Sequence, residues 1–236
     1  MGYWIVKIIL TPILLLLYRV RIEGRDNIPA QGGVILAANH RSFMDSIFLP
    51  LIISRRMTFV AKAEYFDDPK TAWFFRAVGQ IPIRRGGGSA SERALASATD
   101  VLEGGGVFGI YPEGTRTRDG LLHRGHTGVA RLALRTGAPL VPVGLIGTDD
   151  VQPTDAKLPR CFRTITVRFG APLDTSRGAG RHHDHLALRQ LTDELMYEVH
   201  ALTGYEYVDT YATKDASAEH RPEVPDAPVR VATLAS

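Results

Sequence analysis

Residues 3–18 read YWIVKIILTPILLLLY, an apolar run broken only by Lys7 and Thr11. At about 1.5 Å per residue it predicts a helix of about 24 Å, short of the roughly 30 Å hydrocarbon layer of a bilayer. Pro12 interrupts it, and Arg19, Arg21 and Arg25 follow directly. That pattern fits a helix lying in one leaflet with cations at the headgroups. The nearly unbroken stretch 8–17 leaves almost no polar face for water, which favours an anchor over a helix of a soluble core. A secretory signal would carry a more basic start and a small-residue cleavage site, and Tyr18-Arg19-Val20-Arg21 supplies neither. The helix is expected to govern location rather than chemistry.

Beyond it, strand and helix patterns alternate. Strands are predicted over 19–23, 33–38 (GVILAA), 57–61, 80–84, 107–111, 140–146 and 164–169. Helices are predicted over 43–54, 70–78, 89–103, 127–136 and onward from Asp184. Ser89 with Glu92 reads as a capping box, and Gly137 and Gly204 as stops. The last helix places Leu188, Leu191, Leu195, Val199 and Leu202 on one face. This order predicts an α/β sandwich with helices over a mostly parallel sheet. The expected organisation is a hydrophobic anchoring helix at 1–18, one α/β domain at 19–204, and a C-terminal segment at 205–236. After about residue 213 the composition turns to Ala, Pro and charge, which predicts disorder there.

Composition narrows the function classes. A hydrophobic share of 44% and a charged share of 22% over 236 residues exclude collagen-like, coiled-coil and wholly disordered chains. The net charge of +3 is too balanced to argue for nucleic acid. From Gly204 onward, however, three basic residues face six acidic ones. The basic surplus of the remaining body suits anionic substrates or an anionic membrane surface. Cys161 stands alone, which excludes an internal disulfide and fits a reducing, cytoplasmic-side environment.

Three loops carry candidate chemistry. The strand GVILAA runs into Asn39-His40-Arg41-Ser42-Phe43-Met44-Asp45, where α/β sheets place ligands. A strand–loop–helix corner can bring Asp45 to the His40 ring, fixing its tautomer and stabilising the imidazolium formed when it takes a proton. The same spacing fits a surface histidine with an aspartate favouring a helix N-terminus, and the residues alone leave both open. Tyr111-Pro112-Glu113-Gly114-Thr115-Arg116-Thr117 also follows a strand. Its guanidinium, hydroxyls and backbone N–H groups suit a phosphate, although a surface turn with a local Glu–Arg pair reads the same. Gly79-Gln80-Ile81-Pro82-Ile83-Arg84-Arg85 is an apolar strand ending in two cations. Other patterns fail. Gly104-x-Gly106-x-x-Gly109 follows a helix and opens a strand, the reverse of a dinucleotide fingerprint. No G-x-S-x-G exists, and adjacent residues in His182-His183-Asp184-His185 splay too far to favour a metal site.

Together these blocks resemble the lysophospholipid acyltransferase family, in particular bacterial 1-acylglycerol-3-phosphate O-acyltransferases. His40 and Asp45 match the family's N-H-x4-D. Gly79, Ile81 and Arg85 match its second block, Tyr111 to Thr117 its F-P-E-G-T-R-S, and Leu140-Val141-Pro142-Val143 its fourth. The resemblance implies a glycerolphosphate-acyltransferase-like sandwich, with transfer of a fatty acyl group from acyl-CoA or acyl carrier protein to the free hydroxyl of 1-acylglycerol 3-phosphate. Other acceptors on the same fold, and a non-enzymatic lipid-binding protein, remain as alternatives. His40 and Asp45 would be the base pair. Arg85 and Arg116 would hold the phosphate, Glu113, Gly114 and Thr115 would shape the acceptor site, and Arg124 would add a contact; which of Arg84 and Arg85 meets phosphate stays open. No metal or other cofactor is implied. The expected partners are a lysophospholipid acceptor, the acyl donor and a membrane surface, with monotopic or peripheral attachment to the cell membrane.

Overall fold

A computed structural model describes residues 2–83, 88–178 and 180–213. Arg84, Arg85 and the tail after 213 lie outside the described residues. The chain opens with α1 (Gly2–Leu17) and β1 (Arg19–Glu23), then β2 (Val34–Ala38), α2 (Asp45–Ile52) and β3 (Met57–Lys62). Two helices, α3 (Glu64–Asp67) and α4 (Pro69–Ala77), lead to β4 (Ile81–Ile83), α5 (Gly88–Glu103) and β5 (Val107–Ile110). Then come β6 (Leu122–His123), α6 (Gly128–Thr136), β7 (Leu140–Ile146) and α7 (Thr148–Val151). The last elements are β8 (Thr164–Phe169), α8 (His185–Thr203) and β9 (Tyr207–Val208).

Seven strands form one sheet in the order β1-β8-β7-β2-β5-β3-β4. All pairings are parallel except β7 with β8. Central β2 is buried at every position, as an apolar strand covered on both faces must be. Its alternation splits the core. Ile35 and Ala37 face a layer built by α5, α6 and α8, whereas Val34, Leu36 and Ala38 face α2 and the inner side of α1. The α/β sandwich expected from the alternating pattern is therefore the fold observed.

Local signals explain most boundaries. Asp184 caps α8 by accepting from the N–H groups of Leu186 and Ala187, which accounts for its place in the histidine cluster. Gly137 and Gly204 close α6 and α8 at φ 66 and φ 72, where a side chain would be strained. One helix start differs from the pattern: α5 begins at Gly88, so Ser89 lies inside its first turn and is not the cap. The second departure is longer in range. Past Gly204 the chain folds back, burying Tyr205 and pairing β9 with β6. A two-strand pairing between positions about 85 apart leaves no local pattern to read.

Candidate active site

Adjacent pairing of β2 with β5 decides where the chemistry gathers. Ala37 lies beside Ile110 in register, so the loops that follow both strands leave the same edge of the sheet. The first carries His40 and the second carries Tyr111 to Thr117. They are stitched together directly: Thr117 N–H donates to His40 O at 2.9 Å.

Asp45 opens α2 and is fully buried. One oxygen, Oδ2, accepts from the N–H of Arg41 and of Ser42 at 2.8 Å each and from His40 Nδ1–H at 2.9 Å. An ionised carboxylate has no proton to give, so His40 carries its proton on Nδ1 and presents the Nε2 lone pair to the cleft. The ring is held on its flat side too. Tyr111 stacks on it at 3.9 Å between centroids and 9° between planes, and Phe59 backs Tyr111 at 5.4 Å. Burial drives the Tyr111 phenol well above its ordinary pKa, and its hydroxyl meets Ser46 Oγ at 2.9 Å.

Neighbouring residues fix the loop rather than face the cleft. Asn39 grips the backbone of Leu145 in both directions, donating at 2.8 Å and accepting at 2.7 Å. Arg41 pairs with Asp149 at 2.9 Å and lies over the Tyr205 ring at 4.1 Å. Neither role was assigned from the sequence; an asparagine and an arginine flanking the histidine are the only signal there was.

Glu113 is only 1% exposed. Its Oε1 accepts from His40 N–H at 2.9 Å and its Oε2 from His123 N–H at 3.0 Å. Burial pushes this carboxyl up to about 8, against the lowering effect of those two donors. Glu113 thus acts as a buried strut that ties the His40 loop to His123. Gly114 makes the turn beside it at φ 72, with His126 close against the place a Cβ would take.

These loops border a cleft of about 510 Å3. His40, Ser46, Gly114, Thr115, Arg116 and Arg118 form its polar end. From there it runs inward past Phe59, Val78, Leu95, Phe108 and Ile110. Gly109 lets two side chains pack directly on the strand, since a Cβ there would sit 2.3 Å from Met57 Cε and from the Phe59 ring. Tyr3, Val6, Lys7 and Leu10 of α1 complete the wall, so the helix expected to serve location alone also borders the site. Arg124 stands apart from the cleft lining, 3.4 Å from Asp209 and over the Tyr211 ring at 5.6 Å. The structure therefore gathers His40, Asp45, Gly114, Thr115 and Arg116, sets Glu113 behind them, and leaves Arg124 aside; Arg85 lies outside the described residues.

Similarity to known proteins is extensive over this region. A family model described as Acyltransferase matches residues 19–146. A chloroplastic 1-acyl-sn-glycerol-3-phosphate acyltransferase of Arabidopsis thaliana is 30% identical over 141 residues, 59% of this chain and 39% of that protein. The 1-acyl-sn-glycerol-3-phosphate acyltransferase of Bacillus subtilis is 30% identical over 130 residues, 54% of this chain and 63% of that protein. The chain spans about two fifths of the length of the plant relatives it matches. Among solved structures, the 1-acyl-sn-glycerophosphate (LPA) acyltransferase PlsC from Thermotoga maritima superposes with a TM-score of 0.65 at 27% identity, covering 81% of this chain and 74% of that one.

Proposed function

The chain belongs to the acyltransferase family, and from that premise we propose that it moves a fatty acyl group from a thioester to the free hydroxyl of 1-acylglycerol 3-phosphate, yielding phosphatidic acid. The observation that carries the reading is His40, held by Asp45 at 2.9 Å, in the lining of a cleft that takes in both Arg116 and Arg118 and a set of apolar side chains. A hydroxyl attacks poorly until a base removes its proton. His40 takes that proton at Nε2 while the hydroxyl oxygen bonds to the thioester carbonyl carbon. Asp45 stabilises the imidazolium through Nδ1–H. The C–S bond then breaks, and Nε2 returns the proton to the departing thiolate. No covalent enzyme intermediate is required.

The polar end suits the acceptor phosphate, with Arg116 as its guanidinium and Thr115 as a hydroxyl donor. The apolar arm suits the acyl chain of the donor, acyl-CoA or acyl carrier protein. The outer face of α1 supports attachment to a membrane surface, because each of its exposed residues is apolar: Trp4, Ile5, Ile8, Ile9, Pro12, Ile13, Leu15 and Leu16. No helix among the described residues is long and apolar enough to cross a membrane, and monotopic attachment on the cytoplasmic side is the arrangement proposed.

The test is product analysis by mass spectrometry. Purified chain would be given acyl-CoA or acyl carrier protein thioester with lysophosphatidic acid, glycerol 3-phosphate, other lysophospholipids or monoacylglycerol. Phosphatidic acid as the main product supports the reading. Preference for another acceptor replaces it, free fatty acid points to hydrolysis, and no turnover points to lipid binding alone.

A further inference from the structure

The segment 157–163 reads Lys-Leu-Pro-Arg-Cys-Phe-Arg, apolar residues set between cations. It is not a slack loop. Arg160 N–H donates to Val151 O at 2.7 Å, and the Gln152 amide reaches Ala156 O at 3.2 Å. Phe162 N–H donates to Leu17 O at 2.8 Å, and Arg19 N–H to Arg163 O at 3.0 Å. The segment is therefore fastened side by side with the C-terminal end of α1.

Two features of this ordered segment run against burial of apolar surface. Leu158 is 79% exposed and Phe162 78%, matching the 80% of Leu16 on adjoining α1. Phe162 is also the one non-glycine residue at positive φ, 60°, among the described residues. A bulky side chain in that region is strained, and strain held in place by surrounding hydrogen bonds points to a use. Here it turns the ring away from the domain. Lys157, Arg160 and Arg163 of the segment and Arg19 and Arg21 of adjoining β1 are all exposed, and none is in an ion pair among the described residues.

We propose that residues 157–163 form a second membrane-contacting element, in which Phe162 and Leu158 insert beside the end of α1 while the flanking cations engage anionic lipid headgroups. The proposal rests on the reading of α1 as membrane-facing and extends it to a part of the chain about 145 residues away in sequence. A bilayer fits better than an acidic protein because the exposed ring is fastened at the end of α1, whose exposed residues are all apolar, with cations beside it. Two contact points also fix the orientation of the domain, which one helix alone leaves free to roll.

The experiment uses the full chain and vesicles of phosphatidylglycerol or phosphatidylcholine. A polarity-sensitive fluorophore on Cys161, the sole and exposed cysteine, should shift to the blue on phosphatidylglycerol vesicles and be quenched by lipids labelled near the headgroup. Phe162→Gly with Leu158→Ser should weaken flotation by about 10- to 100-fold, since each half-sunk side chain is worth roughly three- to tenfold. Glycine accepts φ 60° freely, so thermal stability should not fall. Converting Lys157, Arg160 and Arg163 to Gln should cost about fivefold per cation on phosphatidylglycerol and little on phosphatidylcholine. If the wild-type chain does not float at all, the membrane reading falls and this proposal with it. If it floats while the fluorophore stays in water and the variants float equally, only this proposal falls. If flotation is unchanged but the variants raise KM for an acyl carrier protein donor, the patch is a protein-docking surface and the proposal is overturned.

Discussion

Glu113→Gln separates two roles that a glutamate beside the proposed base His40 can play. If Glu113 held substrate, its loss would raise KM for the acceptor. The structure gives it another task, since both carboxyl oxygens accept backbone N–H groups, from His40 and His123. Either oxygen of a carboxyl accepts, protonated or not, whereas the nitrogen of an amide does not. Glutamine therefore leaves one buried N–H facing an NH2 group. An unpaired buried donor costs about 1–3 kcal/mol, and a chain of this size loses about 2–4 °C of Tm per kcal/mol. The expected loss is about 2–12 °C, together with a fall in kcat that exceeds the change in acceptor KM, because His40 loses one of its supports. The pH dependence sharpens the test. Burial raises this carboxyl from 4.5 to about 8 in the folded chain. Between those values the folded state keeps a proton that the unfolded state releases, so its contribution to stability is complete below about 4.5 and is lost as pH rises through about 8. The swing is on the order of 4 kcal/mol from this group alone. Glutamine has no such proton. The wild-type Tm minus the variant Tm, followed by differential scanning fluorimetry, should fall as pH rises from about 5 to about 8.5, and a swing larger than the starting gap carries it through zero. A difference that stays constant or grows, or a rise in acceptor KM with kcat intact, refutes the strut.

Three other outcomes are expected. His40→Ala should lower kcat by about 100-fold or more in steady-state assays while circular dichroism stays unchanged, with Asp45→Asn also impaired; a well-folded, active His40→Ala enzyme rules out the base. Arg116→Ala should reduce kcat/KM for the phosphate-bearing acceptor by roughly 10- to 150-fold, the equivalent of one charge-assisted hydrogen bond, with Arg116→Lys recovering only part. Its slow rate on monoacylglycerol should barely change, and equal loss on both acceptors would detach Arg116 from phosphate. Deleting residues 1–18 should move much of the protein off vesicles and also lower turnover on a detergent-dispersed acceptor, since Tyr3, Val6, Lys7 and Leu10 line the cleft; full activity in the truncated chain would make α1 an anchor alone.

What the sequence disclosed follows from range. Elements with a strong period, such as β2 and α8, lie where their patterns place them, because burial on both faces or one face is written into adjacent residues. His40 and Asp45 are also legible, being five residues apart across one corner. The supports were not. Glu113 reaches His40 from 73 positions away, and Asn39 reaches Leu145 across 106. A glutamate in a turn beside an arginine looks like a ligand until its burial is known. The surroundings of Arg124 were hidden in the same way: its neighbours Asp209 and Tyr211 come from the C-terminal segment, far away in sequence.

The polarity of α1 ties the site to its surroundings. A helix on a soluble domain buries its apolar stripe and shows its polar one; α1 shows only apolar residues and keeps its few polar ones inside. Its polar residues Tyr3, Lys7 and Thr11 recur every fourth position and turn inward, where they meet the end of α2. Helix ends leave carbonyls unpaired, and here Tyr3 Oη lies 3.3 Å from Pro50 O, Thr11 Oγ1 3.5 Å from Leu51 O, and Lys7 Nζ 2.9 Å from Pro50 O with Ile53 O beside it. Burial lowers the Lys7 ammonium to about 8, yet below that pH it still sets a positive charge at the negative end of α2. The opposite end of α2 is Asp45. One short helix therefore carries the carboxylate that holds His40 at one end and the contact with α1 at the other. A surface that draws α1 outward would pull on the helix that orients His40. A surface that receives the exposed face of α1 without drawing it out leaves the pair in register, and an anionic bilayer engaged at both α1 and residues 157–163 meets that condition.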